Sequence, residues 1–252
     1  MSDIRIEKIS FVFNSPNKNS LPGYLKMGWN ITGKMPLYFN IGSFFPARYH
    51  RDVIGKKLDE YVESNFYYPM QLNSMGYHPL NRITFDKIVP STKEVGFRNQ
   101  ELRGYVHDQG AAILGGVSGH AGLFSNASDI AVIMQMLLND GEWKDQHYLS
   151  KSTVKLFTSY QNKKSRRGLG FDKPERDNAK RNDPYPSLSA SPETFGHTGF
   201  TGTCVWVDPK QELVYVFLSN RVNPTRANNL LGQLQIRGRI QDAIYRAIGV
   251  DE

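Results

Sequence analysis

The stretch Phe195-Gly-His-Thr-Gly-Phe-Thr-Gly-Thr203 leads directly into the alternating run Cys204-Val-Trp-Val207, and these residues decide the fold. A second β-rich run, residues 213–218, follows the turn-forming segment Asp208-Pro-Lys-Gln-Glu212. This spacing predicts an antiparallel hairpin. The small residues before it are open to two interpretations. They form either a glycine-rich turn or an edge strand that lines a cleft, where backbone N–H groups could hold a developing oxyanion.

Helical patterns lie on both sides of the predicted hairpin. Residues 129–139 place their apolar side chains on one face, with Asp129 favourable in the first turn and Gly141 as a stop signal. Further helices are predicted over residues 152–159, over the second half of 41–64, and as one amphipathic helix over 226–248. This order indicates a mixed α/β fold of the α+β class, with an antiparallel sheet flanked by helices.

The composition of the 252-residue chain excludes several classes of protein. Because 39% of its residues are hydrophobic, the chain can form a core, and bulk disorder is not expected. The net charge of +7 raises nucleic acid as a partner. Much of the excess lies in residues 163–181 without a nucleic-acid-binding motif, so we interpret this stretch as a solvated basic loop and expect no nucleic acid. The single cysteine, Cys204, predicts a buried strand thiol, and no stretch approaches a membrane span.

Glycine is concentrated in the segment between residues 104 and 125. Five glycines lie between residues 110 and 122, at positions 110, 115, 116, 119 and 122, which predicts a tight loop with positive-φ turns or close backbone approach. It is not a phosphate loop, because no Gly-Lys-Ser/Thr follows. His107 and Asp108 could form an acid/base pair or a cleft wall, and we interpret His120 as a loop-bracing residue. No ligand spacing supports zinc, so no metal is predicted.

Five segments in a fixed order resemble the β-lactamase-related serine hydrolases of the class C type, which are related to the penicillin-binding proteins. The segments are Val106-His-Asp108, Gly115-Gly-Val-Ser-Gly-His-Ala-Gly-Leu-Phe-Ser125, Phe195-Gly-His-Thr-Gly-Phe-Thr-Gly-Thr203, Trp206-Val-Asp-Pro209 and Phe217-Leu-Ser-Asn-Arg221. In particular, His197-Thr198-Gly199 is similar to the third motif of the family, Lys-Thr-Gly, in the branches where His replaces Lys.

The second motif of the family is Tyr-x-Asn, and Tyr38-Phe39-Asn40 is similar to it. Gly55-Lys56 follows Tyr38 by seventeen residues, which is similar to the interval in the family. Residues 43–52 depart from the family, because Pro46 and several polar residues stand where an apolar helix is expected.

The first motif of the family is Ser-x-x-Lys, which places an amine one helical turn from the hydroxyl whose proton it takes. Ser15-Pro-Asn-Lys18 matches it, but Ser15 lies only 23 residues before Tyr38, in a segment rich in Pro and Asn. Ser152-Thr-Val-Lys155 matches it on a helix that the resemblance identifies as structural. We therefore expect an N-terminally truncated domain that lacks its nucleophile, with Ser15 and Lys18 as the remaining candidates.

The resemblance implies a serine hydrolase that works through an acyl-enzyme. Tyr38 and His197 would be catalytic, and the substrate would be bound by Asn40, Thr198, Gly199 and His107. Implied substrates are β-lactams, D-amino-acid peptides, esters or amides, and no cofactor is implied. Because His197 in place of Lys removes a fixed charge that helps to bind a substrate carboxylate, esters, amides or peptides are favoured over β-lactams.

The alternative hypothesis is a non-catalytic remnant or accessory module, since similar domains occur appended to glycoside hydrolases in bacteria. The expected partners are a small-molecule or peptide substrate and the missing N-terminal part of the domain. Residues 1–32 stay unassigned, and residues 33–252 form the partial domain, with a helical part at 33–160 and the sheet and terminal helix at 195–250. The family is typically periplasmic or secreted, but the first residues lack the apolar core of a signal peptide, which leaves the location open.

Overall fold

The computed structural model describes residues 55–250. The α-helices in this range are α1 Leu58–Val62, α2 Gln109–Ile113, α3 Ala127–Leu138, α4 Lys151–Thr158, α5 Leu230–Gln233 and α6 Ile236–Ala247. The strands are β1 Thr92–Lys93, β2 Glu101–Leu102, β3 Glu142–Trp143, β4 Gln146–His147, β5 Phe195–Thr198, β6 Cys204–Asp208 and β7 Leu213–Phe217. They form antiparallel sheets ordered β1-β2, β3-β4 and β5-β6-β7, and the predicted α+β class is confirmed.

The predicted antiparallel hairpin is the pair β6-β7. Trp206 lies opposite Tyr215 and Val207 lies opposite Val214, while β5 pairs with the other side of β6 and places Gly196 opposite Trp206. Because side chains alternate across a strand, Trp206 and Tyr215 point to one face of the sheet and the two valines point to the other.

Helices cover both faces of this sheet. On the Val207 face, Met136 and Leu137 of α3 belong to the same buried cluster as the strand side chains. On the Trp206 face, Tyr215 of β7 and Ile244 of α6 pack around the indole. Burial of each large apolar side chain contributes about 1.5–3 kcal/mol, so the two clusters hold the sheet as a middle layer between helices.

Cys204 lies on the Trp206 face and is buried. Burial raises the pKa of its thiol to about 11. The predicted buried strand thiol is therefore confirmed.

The helix predicted over residues 129–139 is α3, which begins two residues earlier. Asn126 caps it, because its side-chain oxygen accepts a hydrogen bond of 2.8 Å from the backbone N–H of Asp129. The chain leaves this helix at Gly141, where φ is +98° and a Cβ would lie 2.2 Å from the carbonyl oxygen of Leu149. Only glycine fits there. The helix predicted over 152–159 is α4, and Ser150 caps it in the same way.

The terminal segment corrects one prediction. The single helix predicted over 226–248 is wrong, because α5 and α6 are separated at Gln235, where φ is +50°. The apolar periodicity continues through this break, so the sequence pattern does not reveal it. Upstream, the second half of 41–64 contains α1, which continues as a π-helical turn over Glu63–Tyr67.

Candidate active site

β5 carries His197 and Thr198 at the outer side of the three-stranded sheet. The preceding residue, Gly196, is pressed against β6: a Cβ at Gly196 would lie 2.0 Å from the carbonyl oxygen of Val205 and 2.7 Å from Cε3 of Trp206. The absence of a side chain at Gly196 therefore allows β5 to approach the indole. His197 is exposed and Thr198 is half-buried, so both side chains are available at this edge.

The turn after β5 holds Gly199. Its N–H donates to the carbonyl oxygen of Thr203 at 2.8 Å, and Gly202 adopts a φ of +110° that closes the turn. The N–H of Gly199 is thus already used within the protein.

The imidazole of His197 has two hydrogen-bond partners. Nδ1 lies 2.7 Å from the carbonyl oxygen of Thr198, and Nε2 lies 3.2 Å from Nη1 of Arg167. Because a carbonyl oxygen only accepts and a guanidinium only donates, this arrangement assigns the proton to Nδ1 and leaves Nε2 as the acceptor. A permanent cation therefore stands directly beside the histidine of the His-Thr-Gly segment.

Asp172 is the buried anion behind this pair. It pairs with β5 through two backbone hydrogen bonds to Gly196, of 2.7 and 3.0 Å. Its carboxylate forms ion pairs with Arg167 and Arg166 and accepts a hydrogen bond of 2.7 Å from the hydroxyl of Tyr185. Burial, followed by the neighbouring carboxylate, raises the pKa of Tyr185 above its usual range, so this hydroxyl stays a donor.

The interpretation of residues 163–181 as a solvated basic loop is wrong for the centre of this stretch. Asp172, Lys173 and Pro174 are buried, and Arg166 is partly buried between Glu175 and the ring of Tyr185, which its guanidinium approaches to 4.4 Å. The sequence held one signal for this: Arg167 stands five residues before Asp172, so opposite charges were available for internal pairing.

Lys173 is a buried cation below the start of β5. Its ammonium donates to the carbonyl oxygens of Glu193 and Thr194, both at 3.0 Å, and lies 4.8 Å from the centre of the Tyr160 ring. Burial lowers the pKa of Lys173 to about 8. The neutral amine keeps two N–H groups and can still donate to both carbonyls.

We expect Lys173 to contribute stability that increases as the pH rises above about 8, so that the free energy of unfolding of wild type grows relative to that of Lys173→Met. Unfolded lysine keeps its proton up to its ordinary pKa of 10.5, whereas folded Lys173 releases it near 8. At Lys173 the unfolded state therefore binds more protons in this window, and the difference in free energy of unfolding between wild type and Lys173→Met increases by about 2 kcal/mol from pH 8 to 9.5. Urea unfolding at several pH values between about 7 and 9.5 measures it. Exposed Lys180→Met is the control, and parallel pH profiles for wild type and Lys173→Met would contradict the expectation.

His107 reaches the turn that follows β5. Its ring stacks on Phe200 with 5.5 Å between ring centroids, and the guanidinium of Arg221 lies 4.9 Å from the centre of the same phenyl ring. Nε2 of His107 is buried and has no hydrogen-bond partner among the described residues. Burial, followed by the charge of Arg226, lowers the pKa of His107, so this imidazole faces the turn uncharged near neutral pH.

Glu94 fixes the segment that carries His107, although no motif or spacing pointed to this residue. Its buried carboxylate pairs with Arg98 and Arg226. Arg98 in turn donates to the carbonyl oxygens of Val106 and His107, at 2.8 and 3.2 Å. The hydrogen bond from Arg98, opposed by burial, lowers the pKa of Glu94 to about 2.

Asp108 and His120 meet across the glycine-rich segment. Asp108 caps α2 through the backbone N–H of Ala111 at 2.7 Å and lies 3.1 Å from Nε2 of His120. Nδ1 of His120 lies 2.8 Å from the hydroxyl of Ser118, which is only 3% exposed. A serine buried to this extent is closed to substrate, and His120 therefore connects two loop segments, in agreement with the bracing interpretation. Of the five glycines, positions 115, 116 and 122 adopt positive φ.

The remaining predicted residues do not join this site within the described range. Tyr38, Asn40, Ser15 and Lys18 lie outside residues 55–250. Ser152 lies exposed in the first turn of α4, where its hydroxyl is 2.9 Å from that of Ser150. Between residues 55 and 250, no helix is long and apolar enough to cross a membrane, and no three His, Cys, Asp or Glu side chains are grouped to hold a metal ion.

Known proteins resemble this chain over most of its length. The model of the family described as Beta-lactamase matches residues 33–237. A protein of Escherichia coli K12 described as "Putative D-alanyl-D-alanine carboxypeptidase" is 35% identical over 237 residues, covering 86% of this chain and 54% of that protein. An N-acetylmuramyl-L-alanine amidase of Bacillus subtilis is 32% identical over 238 residues, covering 86% and 53%.

A solved structure agrees with these relatives at the level of the fold. It is that of a β-lactamase from Mycobacterium bovis, which superposes with a TM-score of 0.50 at 20% identity over 80% of this chain and 60% of that one. The chain spans about half the length of the curated relatives that it matches. The family match covers well over half of the 252 residues, and the chain therefore belongs to the β-lactamase family of serine hydrolases and penicillin-binding-protein-like proteins.

Proposed function

We propose that this protein is a serine hydrolase domain that recognises peptides ending in a free carboxylate, of the D-alanyl-D-alanine type. The observation that carries the proposal is the guanidinium of Arg167, 3.2 Å from Nε2 of His197 at the exposed edge of β5. Family membership supports the acyl-enzyme chemistry, and the names of the Escherichia coli and Bacillus subtilis relatives support a peptide substrate.

Arg167 changes the expected charge of the site that would bind a substrate carboxylate. With His197 in place of Lys, the motif alone lacks the fixed cation that attracts a substrate carboxylate. Arg167 supplies that cation at the same edge, and a guanidinium binds carboxylates through charge-assisted hydrogen bonds. Its side chain is 42% exposed, so part of the fork is open to a ligand. This favours carboxylate-ended peptides over neutral esters.

The other roles follow the family pattern. Tyr38 serves as an acid/base beside the serine, and Asn40 anchors the substrate amide. His197, Thr198 and Gly199 form the opposite wall, and His107 closes the site beside Phe200. Nε2 of His107 is buried and has no hydrogen-bond partner among the described residues. The lowered pKa of His107 supports a role for this nitrogen as a hydrogen-bonding group of the neutral imidazole.

A finer proposal concerns the nucleophile. We propose that neither Ser-x-x-Lys match supplies it. Ser152 sits exposed in a surface helix, which does not provide the desolvated environment that activates a serine. Ser15 stands in a segment rich in Pro and Asn, not before an apolar helix.

A mass measurement tests the chemistry. The protein is incubated with a fluorescent penicillin and, separately, with a fluorophosphonate that labels activated serines. Loss of the fluorescent adduct on Ser15→Ala or Ser152→Ala would overturn the finer proposal. A chain that binds N-acetyl-D-Ala-D-Ala without forming any adduct would support the accessory-module alternative, and a chain that does neither would overturn the proposed function.

Arg167→Gln is expected to lower the affinity for N-acetyl-D-Ala-D-Ala by roughly tenfold to a hundredfold, and to leave the affinity for its C-terminal amide unchanged. A hydrogen bond to a charged group contributes about 1.5–3 kcal/mol, which corresponds to this range. Calorimetric titration of both peptides measures the ratio. Arg176→Gln is the matched control, because Arg176 is exposed and its guanidinium lies against the ring of Tyr160. Equal losses for the acid and the amide would contradict carboxylate recognition by Arg167.

A further inference from the structure

Asp172 occupies an unusual place relative to the exposed edge of β5. Its backbone pairs with Gly196, the residue immediately before His197, and its side chain is 2% exposed. A buried carboxylate is costly unless it is paired. In this structure Oδ1 pairs with Arg167, and Oδ2 pairs with Tyr185 and Arg166. Arg167 and Tyr185 contact different residues of the His-Thr-Gly segment.

One oxygen of Asp172 is linked to His197 through Arg167. Oδ1 of Asp172 forms an ion pair with Nη1 of Arg167, and the same nitrogen lies 3.2 Å from Nε2 of His197. The carboxylate thus restrains the guanidinium that donates to Nε2 and that, together with the Thr198 carbonyl at Nδ1, fixes the tautomer of His197. Without that restraint, a half-exposed arginine has several rotamers, and His197 loses its donor at Nε2.

The other oxygen of Asp172 is linked to Thr198 through Tyr185. Oδ2 accepts a hydrogen bond of 2.7 Å from the hydroxyl of Tyr185, whose oxygen lies 3.4 Å from Oγ1 of Thr198. The Tyr185 ring is held in turn by edge contact with Trp206 at 5.3 Å and by the guanidinium of Arg166. Since Tyr185 donates to the carboxylate, its oxygen is left to accept from the threonine hydroxyl.

We propose that Asp172 is a positioning residue of this site, which sets the tautomer of His197 through Arg167 and the hydroxyl direction of Thr198 through Tyr185. Asp172 does not contact the substrate. It acts through Arg167, which binds the substrate in the proposed function, and through Tyr185, which contacts Thr198. The effect on substrate recognition rests on the proposed function, whereas the effect on the His197 tautomer does not.

The test uses Asp172→Asn, which keeps the shape and removes the charge. The matched control is Glu175→Gln, because Glu175 pairs with Arg166 at 2.8 Å and contacts neither Arg167 nor Tyr185 through a side-chain hydrogen bond. The first readout is the nitrogen NMR spectrum of His197. Wild type and Glu175→Gln are expected to show the Nδ1–H tautomer, and Asp172→Asn a mixture of both tautomers. An unchanged tautomer in folded Asp172→Asn overturns the proposal.

The second readout is the preference for N-acetyl-D-Ala-D-Ala over its C-terminal amide. Asp172→Asn is expected to reduce this preference by tenfold or more, and Glu175→Gln to retain it. If wild type shows no preference, the proposed function fails, and the tautomer readout still decides the role of Asp172. If wild type shows the preference and Asp172→Asn keeps it, the positioning role is overturned.

A wild-type measurement covers the case in which Asp172→Asn does not fold. A guanidinium held by a buried carboxylate rotates slowly and gives separate Nη signals for Arg167. Separate signals support the proposal, and averaged signals, such as those of an exposed arginine, overturn it.

Discussion

Gly196→Ala is expected to destabilise the protein by about 3 kcal/mol or more, at the upper end of what overpacking costs. The added methyl group would lie 2.0 Å from the carbonyl oxygen of Val205 and 2.9 Å from Cα of Trp206. Both are backbone atoms of β6, which cannot move aside as a side-chain tip does. Relief of the clash therefore requires β5 to separate from β6. Denaturant unfolding of wild type and variant measures the loss.

Gly119→Ala is the matched control for this substitution. Gly119 lies in the glycine-rich loop, has no atom within 4 Å of an added Cβ, and does not adopt positive φ. The control is expected to change stability by less than about 0.5 kcal/mol. If Gly196→Ala unfolds at the same denaturant concentration as Gly119→Ala, the close approach of β5 to Trp206 is not a constraint on the fold.

Glu94→Gln is expected to destabilise the protein by about 3 kcal/mol, because it leaves two arginines without their buried counter-charge. The carboxylate of Glu94 is 2% exposed and accepts from Arg98, Arg226 and Gln109. Since Arg98 also holds the carbonyl of His107, the imidazole should lose its fixed stacking on Phe200. Urea unfolding at neutral pH gives the stability, and the ring signals of His107 report the stacking.

The pH dependence provides an independent check on Glu94. Its pKa falls from 4.5 to about 2 on folding. A carboxyl group with a lowered pKa stabilises the folded state above its unfolded pKa, and this contribution disappears as the pH falls from about 4.5 towards 2. Wild type should therefore lose more stability than Glu94→Gln over this window. Glu101→Gln serves as the control, because Glu101 is 51% exposed and pairs with Arg103 at the surface. Parallel acid profiles for wild type and Glu94→Gln would contradict the expectation.

The elements that the sequence predicted well are those whose signals are local. The β6-β7 hairpin follows from alternation around Asp208-Pro209, and α3 follows from apolar spacing between a cap and Gly141. The break at Gln235 was missed because the apolar spacing carries on through it. Local patterns report which side chains can share a face, and they do not report where a helix is interrupted.

The candidate site was only partly predictable for a related reason. His197 and Thr198 could be selected from their motif, but Arg167 lies 30 residues earlier in a stretch whose charge pattern suggested solvent exposure. Asp172 becomes part of the site because its backbone pairs with Gly196, a contact that depends on the path of the intervening chain. Glu94 and Arg226, 132 residues apart, are brought together in the same way.

The rate at which the single cysteine is chemically modified can report how often the sheet opens. Cys204 lies below α6 with its sulfur shielded, and its thiol has a pKa of about 11. Thiolate is the reactive form, so a reagent in solution can modify it only in molecules whose β6 has come away from the helix. The rate of modification at low reagent concentration, divided by the rate for an unfolded peptide, is then the fraction of time spent open. No dye or added residue is needed, and each variant above carries the same reporter.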